Sequence, residues 1–157
     1  MNNKKVIDKF RKLIGDRNVL TKEWNKLPYS RGWRYGAGNT LAVLKPDKLS
    51  DIWRILQICV EHDIIVIMQA ANTGLTGGST PFGDDYDRPV LVINTMRINN
   101  IHIINRGSQI VGLTGSTLYD LENKLKPYGR EPHSIIGSTS IGASIIGGIC
   151  NNAGGSL

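Results

Sequence analysis

A continuous apolar run, IIVIM at residues 64–68, leads without a spacer into the glycine-rich stretch MQAANTGLTGGST at residues 68–80. This junction constrains the fold more than any other feature of the chain. A short, mostly β-branched apolar run reads as a strand buried on both faces. The glycines after it permit tight turns and let a ligand come close to the main chain. Backbone N–H groups presented by such a loop suit an anion, most often a phosphate. A second segment of the same character, GSTSIGASIIGGICNNAGGS, spans residues 137–156.

Many of the chain's 18 glycines fall in these two loops, so the excess is local design within an ordinary globular composition of 40% hydrophobic and 20% charged residues. A length of 157 residues fits one α+β domain with its own core. The net charge is +6, but its sources are dispersed: Lys4, Lys5, Lys9, Arg11, Lys12, Arg31, Arg34, Lys124, Lys126 and Arg130. No dense basic block occurs, so no nucleic-acid partner is expected. A mildly basic face suits anionic ligands or an anionic membrane surface. Cys59 and Cys150 lie in apolar contexts, LQICV and GGICN, without metal-type spacing. They are expected as two buried thiols, and no metal site is expected. The opening MNNKKVIDKFRKL lacks the apolar core of a signal peptide. No window reaches the roughly 18 apolar residues of a spanning helix, so any membrane contact would be peripheral.

Along the chain, residues 6–14 read as an amphipathic helix with Val6, Phe10, Leu13 and Ile14 on one face, ended by Gly15 and Asp16. Residues 19–33 read as irregular, with Pro28 and the turn-rich SRGWRYGAGN beyond it. LAVLKP at 41–46 is a short strand closed by its proline. Residues 47–63 form a helix with Ser50 as its N-cap and Ile52, Ile55, Leu56, Cys59 and Val60 on its buried stripe. Strand, helix and strand in this order predict a parallel pair. Further strands are expected at 89–95, 101–104 and 109–115, the last two joined by a turn at 105–108. Residues 117–125 form a helix with Leu118, Leu121 and Leu125 inward, ended by Pro127 and Gly129, and GREPHSIIG is extended.

The first loop places Gly74, Gly77 and Gly78 close together. Its GxxGG spacing is not the dinucleotide GxGxxG, and no lysine follows as in a Walker loop. Ala70, Ala71, Asn72, Thr73, Ser79 and Thr80 are small enough for N–H groups and hydroxyls to converge on an anion. A tight connection without a ligand would use the same composition. In the second segment, Ile141, Ile145, Ile146 and Ile149 could form the buried face of a short helix. Gly147 and Gly148 would weaken that helix by about 1 kcal/mol each relative to alanine. Such glycines mark a close approach, by a packed helix or by a ligand.

The segments QAANTGLTGGST, VLVINTMRINNI, IVGLTGSTLYDLENKL and IGASIIGGICNNAGG, taken together, resemble the FAD-binding domain of the vanillyl-alcohol oxidase type, also called PCMH-type. YGAGNTLAVLKP, the QAAN opening and GREPHS narrow the resemblance to the bacterial membrane-associated, quinone-linked D-lactate dehydrogenases. The resemblance implies an α+β lobe with a small parallel or mixed sheet flanked by helices. It covers residues 40–157 as the N-terminal part of that domain, incomplete at its C-terminus, with 1–39 as a helical and irregular lead-in. It implies FAD as cofactor, with pyrophosphate contacts from Ala70, Ala71, Asn72, Thr73, Gly74, Gly78 and Ser79. Gly137, Ser144 and Gly154 are the further implied FAD contacts. Some relatives attach FAD through a histidine in the first loop; none stands between Met68 and Thr80, so attachment is expected to be non-covalent.

The implied activity is oxidation of D-lactate with transfer of electrons through FAD to a membrane quinone, at the cytoplasmic face of the inner membrane. Another FAD-linked 2-hydroxy-acid or alcohol oxidase, or an inactive FAD-binding fragment, would carry the same lobe. No catalytic residue is assigned, because the substrate cap and the base of such enzymes belong to later sequence. His133 suits either a contact with an anionic cofactor or a structural hydrogen bond. His62 and His102 are expected at surface or strand positions without partners.

Overall fold

A computed structural model describes residues 3–84, 86–133 and 135–155. Ser134 of GREPHS, and Ser156 and Leu157 at the end of the second segment, lie outside the described residues. The chain forms two compact units, one running to Arg97 and one beginning at Ile98.

In the first unit, α1 (Asn3–Ile14) buries Val6, Ile7 and Phe10, and Leu13 and Ile14 pack partly on the same core. This is the apolar stripe of a helix lying on a sheet. Gly15 ends it with its N–H on Arg11 O at 2.9 Å, and its φ of 84° with ψ of 146° is a conformation that glycine permits. Strand β1 (Val19–Leu20) and helix α2 (Glu23–Ser30) follow, where the sequence predicts irregular chain. Pro28 misleads here: it removes one helical hydrogen bond, but α2 ends two residues later, so little is lost.

Strands β2 (Ala42–Leu44), β3 (Ile65–Gln69) and β4 (Val90–Asn94) are parallel, with helix α3 (Leu49–Glu61) between β2 and β3. The sheet order is β1-β2-β4-β3, with β1 antiparallel to β2. The predicted parallel pair of β2 and β3 is therefore not direct, because β4 is inserted between them and pairs with both. That placement also corrects the burial expected of residues 64–68. β4 is an inner strand, like β2, and all its residues are buried, whereas β3 is an edge whose Met68 is 46% exposed. An apolar run does not tell a central strand from an edge.

Helix α3 buries Ile55 and Cys59 completely, with Ile52 and Leu56 partly covered, but Val60 faces outward at 82% exposure. Its N-cap is Lys48, which makes no side-chain cap bond, so Ser50 lies in the first turn and does not cap.

The second unit opens with the antiparallel hairpin β5 (Ile101–Ile104) and β6 (Gln109–Gly112). Asn105, Arg106 and Gly107 all take positive φ in the turn between them. β6 is shorter than predicted, because Leu113 to Ser116 form a turn closed by Ser116 N–H to Leu113 O at 2.9 Å. Helix α4 (Leu118–Leu125) is capped by Thr117, whose hydroxyl accepts the Asp120 N–H at 3.0 Å. Leu121, Leu125, Ile101 and Ile145 make the core of this unit, with Leu118, Ile103 and Ile110 against it.

Candidate phosphate-binding loops

The first loop begins at the C-terminal ends of the parallel strands β3 and β4, where ligands of parallel sheets commonly sit. Gln69 is the last residue of β3 and is 2% exposed. Its Nε2 donates to Tyr29 O and to Ser79 O, each at 2.8 Å. One side chain therefore holds the entry and the exit of the loop. Asn94, opposite Gln69 in register, donates from Nδ2 to Ala70 O at 2.9 Å and to Gln69 Oε1 at 3.3 Å. Thr95 N–H donates to Gln69 O at 2.8 Å.

Asn72 adopts φ 56°, a left-handed conformation that asparagine tolerates. Its Nδ2 donates to Arg31 O at 2.9 Å, and its Oδ1 accepts the Ser79 hydroxyl at 2.9 Å. The polar side chains of Asn72 and Ser79 are thus engaged in shaping the loop. The main chain is not: among the described residues, no backbone N–H from residues 72–78 has a protein acceptor. Unpaired N–H groups on a loop of fixed shape are what an anion requires.

Residues 31–38 pack against this loop. Gly32 N–H donates to Gly36 O at 2.6 Å, closing a turn that carries Trp33, Arg34 and Tyr35. Gly36 at φ 85° and Gly77 at φ 77° meet back to back, and a Cβ on Gly77 would lie 3.0 Å from Tyr35 O. Gly38 and Gly83 form a parallel bridge. The sequence signal for this support was the glycine content of SRGWRYGAGN. Gln69 and Asn94 gave a weaker signal, each a single amide at the end of an apolar strand.

In the second segment, Thr139–Ile141 form a turn of 3-10 helix ended by Gly142 at φ 93°. Ser144 is 5% exposed and caps helix α5 (Ile145–Cys150), its Oγ accepting the Gly147 N–H at 3.1 Å. Ile145 N–H donates to Ser116 O at 2.8 Å and Leu118 N–H to Ala143 O at 3.0 Å, so the starts of α4 and α5 are tied together. The expected buried face of four isoleucines is reduced. Ile145 is buried, Ile146 is half-buried, and Ile141 and Ile149 are 56% and 70% exposed. Cys150 is exposed as well, against the expectation of two buried thiols. Cys59 is buried, and that burial pushes its thiol up to about 11.

The histidines differ from expectation in one case. His62 has a partner, since its Nε2 lies 2.8 Å from Lys9 Nζ, and Lys9 also reaches Glu61 at 3.0 Å. His102 and His133 are exposed.

The glycines test whether a nucleotide cofactor fits. A Cβ at Gly74, Gly137 or Gly154 would meet nothing within 4 Å, and at Gly78 only Thr76 Oγ1 at 4.0 Å. None of these positions has positive φ. Neither internal packing nor backbone conformation calls for glycine there, whereas a ligand lying on the main chain would. Ala70, Ala71 and Thr73 line the half-buried part of the first loop. The donors are backbone N–H groups, which match pyrophosphate oxygens.

The elements are those of an α+β fold whose glycine loop is neither of Rossmann nor of Walker type. A family model described as FAD binding domain matches residues 40–157. The chain belongs to this family of FAD-binding domains. It is 57% identical over 157 residues to the quinone-dependent D-lactate dehydrogenase of Haemophilus influenzae, covering 100% of the chain and 28% of the relative. The corresponding Escherichia coli enzyme is 52% identical over 156 residues, covering 99% of the chain and 27% of the relative. The chain thus spans about a quarter of the length of these curated relatives. In fold it is similar to p-cresol methylhydroxylase, with a TM-score of 0.75 at 20% identity over 93% of the chain and 28% of that protein.

Proposed function

We propose that this chain is the FAD-binding portion of a respiratory D-lactate dehydrogenase. Residues 40–157 are its FAD-binding domain and 1–39 its lead-in. The carrying observation is the 57% identity along the whole chain to a quinone-dependent D-lactate dehydrogenase, joined to a loop whose N–H groups are free for an anion. In this reading Ala70, Ala71, Asn72, Thr73, Gly74, Gly78 and Ser79 hold the FAD pyrophosphate. Gly137, Ser144 and Gly154 are further FAD contacts. Bound FAD supplies the two-electron chemistry that side chains lack. D-lactate loses two electrons and two protons to become pyruvate, and a quinone takes up both to become the quinol.

Attachment of FAD is non-covalent, supported by the lack of histidine and cysteine in residues 68–80. The protein works peripherally at the cytoplasmic face of the inner membrane, supported by its quinone-linked relatives and the net charge of +6. Among the described residues, no helix is long and apolar enough to cross a membrane.

The test begins with the absorbance spectrum of the purified protein and of its acid supernatant. Flavin bands that pass wholly into the supernatant support non-covalent FAD; bands retained on the precipitate oppose it. The full-length protein should reduce a soluble quinone with D-lactate. Turnover with another 2-hydroxy acid but none with D-lactate would remove the substrate assignment. Sedimentation with membranes, reversed by high salt, tests the location.

A further inference from the structure

We infer that Gln69 is the positioning residue of the first loop: its buried carboxamide fixes the distance between the loop's two ends and keeps the N–H groups of residues 72–78 convergent. The inference rests on the reading above, in which those groups face the FAD pyrophosphate. Gln69 itself does not need to touch the cofactor.

A carboxamide has two N–H donors and one carbonyl acceptor. Gln69, 2% exposed, uses both donors and its acceptor: its Nε2 donates to Tyr29 O and Ser79 O, and its Oε1 accepts from Asn94 Nδ2. Tyr29 lies in the last turn of α2, where carbonyls have no helical partner. Ser79 lies ten positions along the chain from Gln69, at the far end of the loop. A buried polar side chain at a strand end is costly unless every group is satisfied, and here every group is. Among the described residues the N–H groups of residues 72–78 make no bond within the loop, and its local support is the pair of bonds from Thr80 N–H and Oγ1 to Gly77 O, at 3.2 and 3.1 Å. The longer-range bonds behind them run from Gln69 to Ser79, from Asn72 to Arg31 and from Ser79 to Asn72. The Gln69 carboxamide reaches both the last turn of α2 and the loop's exit.

Gln69→Glu preserves size and replaces two donors with an oxygen that faces two carbonyl oxygens. Gln69→Met preserves length and removes the donors without repulsion. Thr40→Val is the control, because it removes a buried hydroxyl bonded to Val90 O at 2.9 Å in the same unit, away from the loop. The measurements are 15N order parameters of residues 73–78 and dissociation constants for FAD and for inorganic pyrophosphate, each taken below the melting temperature of every variant. The wild-type loop should be rigid, with order parameters of about 0.85, falling below about 0.6 in Gln69→Glu. FAD and pyrophosphate should both bind at least about tenfold more weakly to Gln69→Glu, and less weakly to Gln69→Met. Thr40→Val should lower the melting temperature and leave loop order and both affinities as they are.

A rigid loop with wild-type affinities in Gln69→Glu and Gln69→Met would overturn the inference. So would an equal loss of affinity in Thr40→Val, which would make the effect one of general stability. If the wild-type chain binds neither FAD nor pyrophosphate, the FAD reading falls, and the order parameters alone still decide whether Gln69 positions the loop.

Discussion

Ser79 donates its hydroxyl proton to Asn72 Oδ1 across the first loop at 2.9 Å, while Asn72 donates to Arg31 O at 2.9 Å. The two side chains are engaged with each other and with Arg31, while among the described residues the N–H groups of residues 72–78 have no protein acceptor. Asn72→Ala should therefore act twice. It removes both hydrogen bonds and places a less tolerant residue at φ 56°. A destabilisation of about 1–3 kcal/mol is expected from the lost bonds and the backbone strain. FAD binding should weaken with it. Asn72→Gly relieves the strain alone, so it should recover part of the stability and little of the binding, as read by denaturant unfolding and flavin fluorescence.

Gly74 and Gly77 separate ligand contact from folding. Gly77 has φ 77° and a Cβ there would lie 3.0 Å from Tyr35 O, so Gly77→Ala should cost about 1–3 kcal/mol of stability. Gly74 has open space and no positive φ. Gly74→Ala should leave the melting temperature within a degree or two and still weaken FAD binding several-fold. Unchanged FAD affinity in Gly74→Ala would count against Gly74 as a cofactor contact.

The two thiols should differ in reactivity. Cys150 is exposed, while Cys59 is buried and its pKa is raised to about 11. A thiol reagent at pH 8 should modify Cys150 quickly and Cys59 only after unfolding. The sign for stability follows: the folded state holds the Cys59 proton above the pH at which the unfolded thiol releases it. That contribution is complete below the ordinary thiol pKa of 9.0 and is lost as pH rises through about 11. Cys59→Ser should remove the effect. Fast labelling of both thiols in the native chain would show that the α3 core is open.

Glu61 carries the opposite dependence. Its carboxyl is held below the ordinary value, first by the hydrogen bond from Lys9, then by the Lys9 charge and by His62. A depressed folded pKa stabilises above the ordinary glutamate range, and the contribution is lost as pH falls through the lowered value. Lys9→Met should lower the melting temperature slightly at neutral pH, by the small amount usual for an exposed pair. The difference from wild type should vanish in acid. A difference that persists at low pH would assign the effect of Lys9 to packing of α1 on α3.

Helix α4 and the β5–β6 hairpin were legible in the sequence because local chemistry specifies them. Thr117 caps the one, and the run from Asn105 to Gly107 turns the other. The first loop was legible for a similar reason, as glycines after an apolar run. Helix α2 was not, because Pro28 reads as a break and its cost depends on how soon the helix ends. Val60 was misplaced by one step around α3, since a helical stripe drifts and only packing says where its edge falls.

Local sequence suffices to place a glycine loop after a strand, with a composition that favours an anion, because backbone freedom and side-chain size are local properties. Long-range packing sets the strand order, since β4 enters between β2 and β3 from a distant part of the chain. It also sets which polar groups of the loop are engaged and, among the described residues, which N–H groups stay unpaired. That depends on Gln69 meeting Tyr29 and Ser79, and on Asn72 meeting Arg31. Such hydrogen bonds join residues far apart in sequence, and no pattern of neighbours encodes them.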